Sequence, residues 1–279
     1  MKLKLKKENM IWLISAGSIL GAILFGVLIG LLIPGKEPEE APKKEEIPAA
    51  EEPILEESTI APEDFIYQDG FLTCTTAPSV LGIDVSGFQG DIDWQQVKQA
   101  GVEFAMIRVG GRFYGSNPEL YDDSKAPSNY RGAKAAGLKV GAYFFSQATT
   151  PEEARQEALY ALELTKDWQM DMPLVCDWEY MGPGTYGENV DTETLTACIR
   201  EFCKTVQAGG RKPMVYFNPD HSQNQLNLEE LAEYDFWLAL YANVLDYPYQ
   251  VDMWQYTDAG VVPGIAGNVD INLYFPPQE

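Results

Sequence analysis

Residues 173–180 read "PLVCDWEY", an apolar run from Pro173 to Cys176 that ends in Asp177-Trp178-Glu179. In an extended strand, positions i and i+2 face one side with Cα atoms about 6.6 Å apart. Asp177 and Glu179 therefore share a face, and Trp178 takes the other. Two carboxylates that close raise one pKa, leaving a proton donor beside an anion. The plainer reading is that the triplet only opens a solvated loop. Two more acids stand in the same setting: Asp84 ends the apolar "LGIDVS" and Asp270 lies between Val269 and Ile271 in "GNVDINLY". Each alone also suits a cap or an Asx turn. Together, four acids at the ends of three strands point to one site. Tyr143, Phe144, Tyr216, Trp237, Tyr241, Trp254 and Tyr256 lie at or near strand ends. Such aromatics serve a core or, grouped beside acids, a carbohydrate groove.

Other chemistries are poorly supplied. The single histidine, His221, sits in the polar stretch "NPDHSQNQ" and reads as ordinary surface. No His cluster or CxxC pair offers a metal site, no Gly-rich phosphate loop occurs, and no cofactor signature is present. A reaction run by carboxylates alone remains, and glycoside hydrolysis is the commonest. The net charge of −22 excludes nucleic acid as a natural partner, because so acidic a surface repels phosphate backbones.

The elements that must position these acids alternate. Strands are expected at 79–86, 102–110, 138–146, 173–179, 212–218, 235–241, 251–257 and 269–275. Helices are expected at 93–101, 126–137, 150–167 and 191–210. Thr150 and Asp191 read as N-caps, and Gly101 and Gly137 as helix ends. Near-continuous apolar strands separated by helices predict a parallel sheet covered on both faces, closed as a (β/α) barrel with its chemistry at the strand C-termini.

Ahead of the barrel the composition changes twice. Residues 10–33 carry no charge and span roughly 36 Å as a helix, enough for a bilayer core of about 30 Å. Lys2, Lys4, Lys6 and Lys7 precede the span, so the positive-inside rule makes 1–9 a cytoplasmic stub and 10–34 an uncleaved signal anchor, with the remainder outside the cell. Gly17/Gly21 and Gly26/Gly30 have the spacing of a weak helix-mediated dimer. Residues 35–65 are rich in Pro and Glu and predict a disordered tether. Residues 66–78 read as a short lead-in to the catalytic unit, 66–279. Cys74, Cys176, Cys198 and Cys203 permit either two disulfides or four buried thiols.

The segments "GIDVSGFQGDIDWQQVKQAGVEFAMIRVG", "NYRGAKAAGLKVGAYFFS", "VCDWE", "DFWLALY" and "MWQYTDAGVVPGIAGNVDINLY" together resemble the glycoside hydrolase family 25 muramidases, the Chalaropsis-type lysozymes. The resemblance runs from about Val80 to Phe275. It implies an irregular, TIM-like (β/α) barrel that cuts the β-1,4 bond between N-acetylmuramic acid and N-acetylglucosamine in peptidoglycan. By that resemblance Glu179 is the general acid and Asp177 its partner carboxylate, with Asp84 and Asp270 the further acids of the pocket. Tyr143, Tyr216, Trp254 and Gln255 align with groove-lining residues. One position departs from the pattern: Phe144 stands where many members carry a histidine after the tyrosine of the third strand. Two other classes of function compete: a barrel that holds peptidoglycan without cutting it, and a scaffold acting through its membrane helix.

Overall fold

The computed structural model describes residues 54–277. The expected stub, membrane anchor and tether up to residue 53 lie outside the described residues. Among those described, no helix is long and apolar enough to cross a membrane.

The apolar runs found in the sequence become strands β3 (Val80–Val85), β4 (Phe104–Arg112), β6 (Lys139–Ser146), β7 (Leu174–Trp178), β8 (Pro213–Phe217), β9 (Asp235–Ala239), β10 (Met253–Gly260) and β11 (Val269–Tyr274). Pairing of β3 with both β4 and β11 closes these eight into a barrel. A short strand β5 (Leu120–Asp122) extends β4 beyond the barrel wall. The expectation of an all-parallel sheet needs one correction. From β3 to β10 the strands run parallel, but β11 is antiparallel to both of its neighbours. The turn after β10 is too short for a crossover helix, so the chain returns as a hairpin.

Helices α1 (Trp94–Gln99), α2 (Ala126–Ala135), α3 (Pro151–Leu164) and α4 (Thr192–Ala208) lie within the predicted spans. Thr150 caps α3 by accepting from the Glu153 amide, and Asp191 caps α4 by accepting from that of Thr194. Gly101 and Gly137 end their helices at φ +98° and +80°, the left-handed region that a Cβ disfavours. A fifth helix, α5 (Pro219–Asn224), carries His221. Contrary to its reading as surface, His221 is buried, with its ring 5.9 Å from that of Trp178, and burial pulls its pKa down.

Strand alternation divides the apolar residues between two cores. Phe104, Met106, Val175, Met214, Trp237 and Met253 fill the barrel interior. A larger cluster packs the outer faces of the strands against the helices. All four cysteines are buried free thiols.

Residues 54–65 correct the tether. Leu55 and Ile60 pack on the outer core, the Ser58 amide donates to Pro248 O at 2.9 Å, and the Gln250 amide donates to Glu56 O at 2.8 Å. The acidic composition conceals these apolar residues and says nothing of main-chain pairing. The lead-in then forms a hairpin, β1 (Phe65–Gln68) and β2 (Phe71–Cys74), turning on Asp69-Gly70 with positive φ at both. That dipeptide is favoured in two-residue turns for this reason. Phe65 anchors the hairpin edge-on to Trp254, 5.0 Å between ring centroids.

Candidate active site

At the C-terminal mouth of the barrel a cavity of about 610 Å³ contains all four sequence-predicted acids. Asp177 points inward from β7, following Val175, and Glu179 follows at i+2 just beyond the strand end. Trp178 points the other way, its indole N–H donating to Ala148 O at 3.2 Å. Gln147 donates to the Glu179 carbonyl at 2.8 Å and so fixes the backbone carrying that side chain. Asp84 ends β3 and Asp270 begins β11. The antiparallel register sets these two directly opposite each other.

Asp84 is held by two amide donors at its Oδ2, Gln255 Nε2 and Asn272 Nδ2, each at 2.8 Å. The donors are held in turn. Gln255 Oε1 accepts from Tyr216 Oη at 2.9 Å and Tyr241 Oη at 3.2 Å, and Asn272 Oδ1 accepts from Trp237 Nε1 at 2.8 Å. This network fixes the Asp84 carboxylate by aromatic side chains that also wall the cavity.

Asp177 has no such support, and its Oδ1 is buried without a hydrogen-bond partner. Burial first, then the charge of Glu179, pushes the Asp177 pKa well above the ordinary carboxylate range. Glu179 is raised as well, by burial, while a hydrogen bond from Asp177 counteracts part of the rise. The two titrate as a unit that retains a proton where an ordinary carboxylate has lost it. Asp84 is raised to about 6, mainly by burial with its two amide donors opposing. Asp270 is raised to about 8 by burial and then by the Asp84 charge. Two arginines line the cavity, each ion-paired through its Nε to an acid outside the four, Arg108 to Asp123 at 2.9 Å and Arg112 to Glu157 at 2.6 Å. The Arg108 charge pulls part of the Asp177 rise back down. Asp123 also accepts from the Gly87 amide at 2.8 Å, tying the loop after Asp84 to β4.

Of the predicted groove residues, Tyr143, Tyr216 and Gln255 line the cavity. Trp254 does not. It is fully buried among Phe65 and Tyr256, and its indole donates to Leu240 O at 2.7 Å. Neighbours on a strand face opposite sides, so Trp254 and Gln255 cannot both reach the groove. Phe144 is likewise turned outward, against Tyr160 and Phe202, so its difference from histidine leaves the cleft untouched. Trp237 and Tyr241, read from the sequence only as members of an aromatic group, line this cavity; Tyr256, of the same group, does not. Asn272, Arg108 and the exposed Phe88 lacked any signal in the sequence, because partners far along the chain define them.

Comparison with known proteins agrees with this geometry. The family model described as "Glycosyl hydrolases family 25" matches residues 83–265. The chain is 29% identical over 205 residues to Lysozyme M1 of Streptomyces globisporus, covering 70% of this chain and 67% of that protein. It is 29% identical over 196 residues to the autolytic lysozyme of Clostridium acetobutylicum, covering 69% of this chain and only 55% of that one. The chain thus spans between about half and two thirds of these relatives' lengths. Among solved structures, the bacterial lysozyme of Streptomyces coelicolor superposes with a TM-score of 0.55 at 28% identity, covering 70% of this chain and 91% of that one. With the family model matched over most of the barrel and the acids gathered at its mouth, the chain belongs to glycosyl hydrolases family 25.

Proposed function

We infer that this glycoside hydrolase is a peptidoglycan muramidase, cleaving the β-1,4 bond between N-acetylmuramic acid and N-acetylglucosamine. One observation carries the reading: Asp84, Asp177, Glu179 and Asp270 share a single aromatic-walled cavity whose arginines are already paired. Such a site can hold a proton for a leaving oxygen and stabilise positive charge at a sugar ring. Glu179, the less buried of the close pair, donates to the glycosidic oxygen. Asp177 shares that proton with Glu179 and becomes the anion once it has passed to Glu179, placed to orient the substrate's 2-acetamido group. Asp84, ionised above about pH 6, supplies negative potential to the oxocarbenium-like transition state, and Asp270 adds to it only above about pH 8.

Attack by the 2-acetamido oxygen is the first mechanistic route to test. An anomer-resolved NMR time course on a muropeptide substrate decides it, and initial release of the α product would rule out retention. The activity itself is tested by digesting defined peptidoglycan and identifying the reducing-end sugar by mass spectrometry. N-acetylmuramic acid at the new ends is expected, and intact glycan would refute the reading.

The uncharged span 10–34 and the lysines before it support a single-pass anchor, with the barrel on the wall side of the membrane and the glycine spacings available for weak pairing. That arrangement suits wall remodelling by the producing cell. Fractionation tests it: the protein is expected in membranes. Release into the medium by cleavage within residues 35–53 would count against an anchored role.

A further inference from the structure

The cleft continues past Tyr241 into a second cavity of about 410 Å³. Its walls come from three places: Tyr67 and Phe71 of the N-terminal hairpin, Tyr241 and Asn243 after β9, and Thr257 and Val261 at the far end of β10. Tyr241 lines both cavities. Its hydroxyl donates to Gln255, whose amide holds Asp84, so the groove starts two hydrogen bonds from a reacting acid. Tyr67 Oη donates to Asn243 Oδ1 at 2.9 Å, fastening the hairpin as one wall. The described residues leave this surface uncovered, with Tyr67 58%, Tyr241 54% and Val261 75% exposed.

The chemistry of the lining selects the occupant. In a chain of net charge −22, none of the described residues lining this groove is charged. A peptide stem bearing carboxylates and amines finds no counter-charge here. A neutral N-acetylated sugar finds tyrosine faces to stack on, with the Asn243 amide and the Thr257 hydroxyl for its polar groups. We propose that this groove binds further N-acetylated sugars of the same glycan strand, beyond the linkage being cut. The hairpin that builds it precedes the residues matched by the family model, 83–265. The proposal rests on the muramidase reading and extends it to substrate length.

The test uses the full-length chain and peptidoglycan oligosaccharides of defined length. Tyr67→Ala should leave kcat/KM unchanged on the shortest substrate cleaved and lower it about 3- to 10-fold on substrates two disaccharides longer. Tyr67→Phe, which keeps the ring, should retain most of the length advantage. Val261→Asp, at an open surface position, should reproduce the length-dependent loss even if Tyr67→Ala perturbs the hairpin. Equal losses at both lengths, or none at either, would overturn the groove. So would Tyr67→Ala abolishing self-association instead, which would make the occupant a second copy. Titration of neutral chitin oligosaccharides into Glu179→Gln separates the two claims. Affinity that grows with length and falls with Tyr67→Ala upholds the groove even if the wild type cuts no peptidoglycan. Cleavage without any length dependence removes the groove and spares the muramidase.

Discussion

Two buried carboxylates, one bonded to β6 and one borne by the neighbouring β7, behave in opposite ways. Glu157, reaching in from α3, accepts from Arg112 Nε at 2.6 Å, from Ser146 Oγ and from the Gln147 amide at 3.4 Å. Asp177, inside the barrel mouth, has one oxygen with no partner and Glu179 as its neighbour. Burial raises both pKa values, but Glu157 has hydrogen bonds from Ser146, Arg112 and the Gln147 amide opposing the rise, whereas Asp177 has only the more distant charge of Arg108. The difference teaches that donor supply, more than depth, decides whether a buried acid braces the fold or stores a proton. The first group joins a strand to a helix. The second leaves unmet demand for a substrate to satisfy.

That contrast can be broken by substitution. Glu179→Gln should lower turnover on purified cell walls by about 10²–10⁴-fold, the usual contribution of a positioned general acid, with an unchanged melting temperature. Rates near wild type would refute its role. Glu157→Ala should do the reverse, costing about 3–5 kcal/mol in urea denaturation because the buried Arg112 keeps only Glu153, 4.0 Å away, as a counter-charge. Replacing both partners by apolar residues should recover most of that loss. If Glu157→Ala proved harmless, the contrast between the two acids would fail.

Smaller effects concern protons. Removing the Asp84 charge by Asp84→Asn lowers the pKa of both Asp177 and Asp270, since that charge helps raise each. The basic limb of the rate–pH profile should therefore move to lower pH, and a shift upward would contradict the coupling. Stability carries the same sign. Asp84 and Asp270 have folded pKa values of about 6 and about 8, above those of the unfolded chain. Their contribution is fully present below about pH 4 and is lost as pH rises through those values. Thermal melts from pH 4 to 9 should show this decline, and Asp270→Asn should flatten its upper part.

Local chemistry decided much of the architecture in advance. The caps Thr150 and Asp191, the glycines at 101 and 137 and the apolar runs are each read by the chain within a few residues. The acids at strand ends were legible for the same reason. Residues 54–65 were not, because what orders them is pairing with residues 248–250; the hairpin carries a local signal in Asp69-Gly70, but its docking against Trp254 has none.

The sequence by itself determined which residues could hold protons and in what order the strands and helices follow. Only the tertiary structure decided which of those residues meet. The antiparallel return of β11 sets Asp270 against Asp84, and the register of β10 sends Gln255 inward and Trp254 into the outer core. A strand's period of two allows either face to be the inner one, and that choice is made by pairing with distant strands.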